Sequence, residues 1–98
     1  MAFLYFSAYA QDDLQNITRF IATDSPKRAQ SFVAELRKQC DLIARFPSIG
    51  VAKDEYADGL RMLPHEKYLI FFSINEQGVL IERVLHSARN IKEALNQS

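Results

Sequence analysis

Three residues near the first quarter of the chain, Asp24-Ser25-Pro26, constrain the fold more than any others. They end one amphipathic helix and start another almost without a linker. Ser25 can accept a hydrogen bond from an orphan helix N–H, and Pro26 suits a first helical position, where its missing N–H has no partner to lose. Before them, Ala10, Leu14, Ile17 and Ile21 recur on one helical face, with Ser7 as the cap. Asp12 and Asp13 fall in the first turns, where the helix dipole favours negative charge, and the helix is expected to end near Thr23. After them, Ala29, Phe32, Val33, Leu36, Cys40 and Ile43 make one apolar stripe that runs to about Phe46, with Pro47 as the stop. So short a joint predicts an antiparallel helical hairpin whose two apolar faces need a cover.

The remaining segments supply that cover. Ala2 to Ser7 is aromatic and apolar, as a short strand is. Ser48 to Gly59, with Gly50, Gly59 and the charged run Lys53-Asp54-Glu55, reads as a loop. Leu60-Arg61-Met62 alternates, and Tyr68 to Ile74 is a continuous apolar run of the kind found in a central strand covered on both faces. Asn75 to Gly78 is a turn and Val79 to His86 its partner strand. Ser87 to Leu95 is long enough for a last helical turn. The expected fold is α+β, in the order β-α-α-β-β-β, with the antiparallel helical hairpin packed on a small antiparallel sheet and a short C-terminal helix as an optional last element. Residues 1–98 are expected to form a single domain.

Charge and motif content exclude several function classes. Twelve basic side chains balance twelve acidic ones, so the chain is no polycationic nucleic-acid binder, although a local basic patch remains open. No apolar run nears the ~20 residues of a membrane span, and the N-terminus lacks the basic start of a secretory signal. A single cysteine forms no internal disulfide, and a Cys/His zinc site lacks ligands. A reduced, cytoplasmic, cofactor-free and metal-free protein is expected. There is no Gly-rich phosphate loop, nucleophile elbow or H-E-x-x-H. Cys40 lies on the apolar stripe of the second helix, as a packed thiol does. What stands out is a set of cations on and around the sheet. Arg61 interrupts its strand. Arg83 shares a strand face with Val79, Ile81 and Leu85 by alternation. His86 and Arg89 follow at the strand's end, and Lys53 sits in the long loop. Either they pair with acids such as Asp58, Glu66 or Glu82, or they make the exposed sheet face a surface for an anionic partner.

Read in order, these pieces resemble the ParE-like toxins of the RelE/ParE superfamily, the toxic halves of type II toxin–antitoxin pairs. The likeness runs through Ala10-x-x-Asp13-Leu14-x-x-Ile17, Pro26 and Phe46-Pro47-x-Ile49-Gly50. It continues through Gly59-Leu60-Arg61-x-Leu63-Pro64, Tyr68-Leu69-Ile70-Phe71-Phe72 and Arg83-Val84-Leu85-His86-x-Ala88-Arg89. The resemblance implies a helical hairpin against a small antiparallel sheet. It also implies a toxin that acts without catalysis by poisoning DNA gyrase and arresting growth, with a part in plasmid maintenance. Arg61, Arg83, His86 and Arg89 would then contact the target. The partner implied is an antitoxin with a DNA-binding N-terminal half and a C-terminal half that is disordered until it binds, in a heterotetramer. Two alternatives stay open. One is a RelE-like ribosome-dependent, metal-independent mRNA endoribonuclease using Lys53, Arg61, Arg83 and His86, whose acid–base set lacks a tyrosine after Tyr68. The other is a toxin-derived binding module without toxicity.

Overall fold

The computed structural model describes residues 3–96. Ala2, placed in the first strand by its composition, lies outside them. The order of elements is β1 (Phe3–Phe6), α1 (Ala8–Asp24), α2 (Pro26–Arg45), β2 (Val51–Ala52), β3 (Arg61–His65), β4 (Tyr68–Asn75), β5 (Gly78–His86) and α3 (Ile91–Asn96), with a 3₁₀ turn at Pro47–Ile49 after α2. This is the expected α+β fold.

The helical joint works as its residues demand. Ser7 Oγ accepts from Ala10 N–H at 2.9 Å and Ser25 Oγ from Arg28 N–H at 3.1 Å. Pro26 is the first residue of α2. Both stripes face inward, and Leu36 and Ile43 are wholly buried. Cys40 is buried with them, and burial pushes its thiol up to about 12, which keeps it protonated and inert. One expectation differs. The first turn of α1 holds no acidic residue; Asp12 and Asp13 lie one turn further in, and Asp13 is buried.

The sheet has five strands in the order β1-β5-β4-β3-β2. It is mixed where an antiparallel sheet was expected. β1 runs parallel to β5, with Phe3 opposite Gly78 and Phe6 opposite Ile81. Hairpin turns impose antiparallel pairing only on the strands they join, and β1 reaches the sheet through the helices, as a parallel strand must. The stretch expected as loop contributes the two-residue β2, which pairs with the start of β3.

The Tyr68–Ile74 run is covered on both sides only at its centre, Ile70 to Phe72, and Ile74 is exposed. Ile70 and Phe72 join the core beneath the helical hairpin, while Phe71 packs with Leu60, Leu85 and Ala94 on the opposite face, beneath α3. Between these pairs the β4–β5 register shifts. Phe71 faces Arg83 and Phe72 faces Ile81, so Glu82 has no partner across the ladder. Counting by twos from Val79 therefore fails beyond Ile81. Val79 and Ile81 point to the helices, but Arg83 and Leu85 share the α3 face with Phe71.

At one end of the sheet the β3–β4 turn is tied to α2. Arg28 bonds Glu35 at 2.6 Å and Glu66 at 2.9 Å, and His65 Nε2 lies 3.0 Å from Glu35. The Arg28 hydrogen bond, with that of His65 second, lowers the Glu35 carboxyl to about 2 from 4.5. A lowered carboxylate stabilises the fold above its unfolded value and ceases to as pH falls through its folded one. The melting temperature should therefore fall more steeply between pH 4.5 and 2 in the native chain than in Glu35→Gln. Parallel acid limbs would show that this tie contributes nothing.

Candidate functional site

β1 stops at Phe6, halfway along β5, and the start of α1 takes over its edge. Ser7 donates from its backbone N–H to Ile81 O at 3.0 Å and from its hydroxyl to Glu82 O at 2.7 Å. Six residues on, Asp13 does what a next strand would have done. Its Oδ2 accepts the Val84 backbone N–H at 2.9 Å. The same carboxylate takes Arg83 Nε at 2.8 Å and Nη2 at 2.9 Å, a bidentate pair. Arg83 Nη1 then donates to Ala94 O at 2.9 Å. One ion pair thus joins α1, β5 and α3. The Arg83 guanidinium also lies 5.4 Å from the Tyr9 ring. Its hydrogen bond to Asp13 raises its pKa against the opposing effect of burial.

Beside this pair, α1 and the end of β5 enclose a surface hollow of about 160 Å³. His86, Arg89 and Tyr68 line it, together with Asp13 and the exposed ring of Phe20. His86 is held edge-on to Tyr68, ring centres 5.2 Å apart. Its Nδ1 accepts the Ala88 N–H at 3.0 Å, which leaves the proton of a neutral ring on Nε2. Burial raises the Tyr68 phenol above its ordinary value. Arg89 is exposed. The backbone bond from Arg89 N–H to His86 O at 3.0 Å sets the turn that brings it beside His86.

The other expected cations are elsewhere. Arg61 pairs with Phe72 across the ladder, so it lies on the helix-facing side, opposite to Arg83. Its Nη2 donates to Gly50 O, and its buried Nε has no hydrogen-bond partner among the described residues. Lys53 is in the β2–β3 loop, 3.9 Å from Glu55. Arg61 and Arg83, both assigned to the target surface by the resemblance, lie on opposite faces of the sheet. Arg83 is 6% exposed, so it is not part of an exposed sheet face. The acids considered as its partners, Asp58, Glu66 and Glu82, are not those that bind it here; Asp13 is. Asp13 was legible as a candidate, because it falls on the same helical stripe as Ala10, Leu14 and Ile17.

Among the described residues, no helix is long and apolar enough to cross a membrane. The family model for the "ParE toxin of type II toxin-antitoxin system, parDE" matches residues 4–91. A search of curated proteins gives no match. Among solved structures, the chain is similar to one from the chromosomal ParDE toxin–antitoxin system of P. aeruginosa. The TM-score is 0.75 at 20% identity, over 88% of this chain and 96% of that one. At that identity the likeness is one of fold.

Proposed function

The chain belongs to the ParE toxin family of type II toxin–antitoxin systems, and from that premise we propose that it is a cytoplasmic toxin that poisons DNA gyrase without catalysis and is neutralised by direct binding of a cognate antitoxin. The observation that carries the target site is the hollow at the end of β5. There His86 and the exposed Arg89 stand together beside the exposed Phe20. A cation next to an aromatic anchor is the composition of an interface hot spot. In this reading His86 and Arg89 touch the target, while Arg83 positions the strand that carries them. Arg61 contributes from β3, two strands away, where the Gly50 carbonyl holds it.

The dispersal of the cations speaks against the ribonuclease alternative. Phosphoryl chemistry needs its charged groups around one phosphate. Arg83 is committed to Asp13, and Lys53 and Arg61 do not line the hollow that holds His86. For the antitoxin, a groove of about 550 Å³ between β1, α1 and α2 offers Leu4, Phe6, Leu14 and Val33 to an apolar segment. Among the described residues the outer edge of β1 pairs with no other strand, and its Phe3 is 61% exposed, which suits an added strand. An antitoxin that is disordered in its C-terminal half and DNA-binding in its N-terminal half fits this surface, as half of a heterotetramer.

The test sets gyrase supercoiling against cleavage of ribosome-bound mRNA, using purified chain. Inhibition of supercoiling with intact mRNA is expected. Arg89→Ala and His86→Ala should each weaken inhibition about tenfold or more, with melting temperatures close to that of the parent. Codon-specific cuts in mRNA would replace this reading with the ribonuclease one. Absence of both activities would leave the non-toxic binding module.

A further inference from the structure

Away from the hollow, three metal-ligating side chains from two places in the sequence, Glu35 on α2 and the adjacent His65 and Glu66, meet at the β3–β4 turn. His65 Nε2 lies 3.0 Å from Glu35 Oε1 and 3.6 Å from Glu66 Oε2. One donor atom of each residue falls within 4.8 Å of the others. We propose that Glu35, His65 and Glu66 form a binding site for a divalent transition-metal ion of the zinc class, which clamps the β3–β4 turn to α2.

The spacing fits the ion. Zinc sits about 2.0–2.2 Å from imidazole nitrogen and carboxylate oxygen, so a tetrahedral centre holds its donors roughly 3.4 Å apart. The distances from the His65 nitrogen to the two carboxylates bracket that value. The donor set also selects. An imidazole with two carboxylates suits zinc and its neighbours, whereas magnesium and calcium prefer oxygen alone.

The ligands are already held in place. The His65 ring packs on Phe32, centres 5.6 Å apart. Glu66 has a backbone φ of 53°, the one described non-glycine residue with positive φ, and such a conformation is uncommon outside glycine, asparagine and aspartate. Arg28 occupies Oε2 of Glu35 and leaves Oε1 turned to His65. It can therefore go on orienting that carboxylate when a metal binds the other oxygen, as a supporting shell does. Arg28 must yield only at Glu66 Oε2. Two carboxylates against one guanidinium also leave a negative charge over when His65 is neutral. Cys40 is buried and protonated and does not compete.

Titration of the full chain with zinc chloride, followed by calorimetry, should show one equivalent bound. Glu66→Gln, at an exposed position that leaves the core untouched, and His65→Ala should each weaken binding at least about tenfold. In a second measurement, Co²⁺ should broaden the ring signals of His65 and leave those of His86 sharp. With only two histidines in the chain, the spectrum assigns the site directly. No zinc binding, binding unchanged in both variants, or broadening at His86 in place of His65 would each overturn the proposal.

Discussion

Asp13→Ala is expected to destabilise the fold by about 3–5 kcal/mol, the cost of breaking a buried ion pair and leaving its partner charged. For a domain of this size the melting temperature then falls by more than about 10 °C. The reason lies in what one carboxylate satisfies. It accepts two of the Arg83 donors and the Val84 backbone N–H, so its loss strands buried hydrogen bonds along with the charge. Arg83→Ala should cost a similar amount, because it leaves Asp13 buried and ionised. The double variant Asp13→Leu/Arg83→Met should recover much of the loss, since an apolar pair carries no desolvation cost. It should not recover all of it, because Val84 N–H still lacks its acceptor. Thermal melts of the four proteins test this. Additive losses in the double variant would show that the pair is not coupled. The same melts separate the arginines. Toxicity should follow stability in Arg83→Ala and part from it in Arg89→Ala.

Gly78→Ala should cost about 2–5 kcal/mol, combining backbone strain with overpacking. Gly78 opens β5 with φ at +147°, and a Cβ there would lie 2.0 Å from Phe3 O and 2.5 Å from Phe3 N. Those are backbone atoms of the paired strand, so no side chain can swing aside, and β1 must leave the sheet. Gly59 is the control. Its φ is +77°, but a Cβ there meets nothing within 4 Å. Gly59→Ala should cost about 1 kcal/mol from strain alone. Hydrogen exchange at Leu4 to Phe6 should speed up in Gly78→Ala and not in Gly59→Ala. Equal effects of the two substitutions would remove the steric argument.

The helical hairpin was legible because its signals are local. Ser25 and Pro26 act within one turn of themselves, and a 3.6-residue period sorts Leu36 and Ile43 to the inside. His86 and Arg89 were legible as neighbours for the same reason, since one turn joins them. What escaped depends on residues far apart in the chain. The parallel pairing of β1 with β5 has no turn to announce it. The bulge at Glu82 reverses the face of Arg83, and no alternation rule locates a bulge. Asp13 was read as a helix-dipole residue, although its place on the apolar stripe marked it as buried and in need of a cation. Its partner, 70 residues away, is visible only in three dimensions. His65 and Glu35 likewise meet across 30 residues, beyond the reach of motif spacing.

The placement of β5 between β1 and β4 also sets an order of events during synthesis. β1 and α1 depend on a strand made more than 70 residues after them. Ser7 bonds to Glu82, 75 residues on, and Asp13 to Arg83. Until that strand emerges, the nascent chain has a helical hairpin with no central surface to settle on. Contacts this distant in sequence make folding slow relative to a helical protein. A chain cut short before Gly78 lacks the strand to which β1, Ser7 and Asp13 bond. A completed chain passes through an interval in which its apolar stripes are still open to capture.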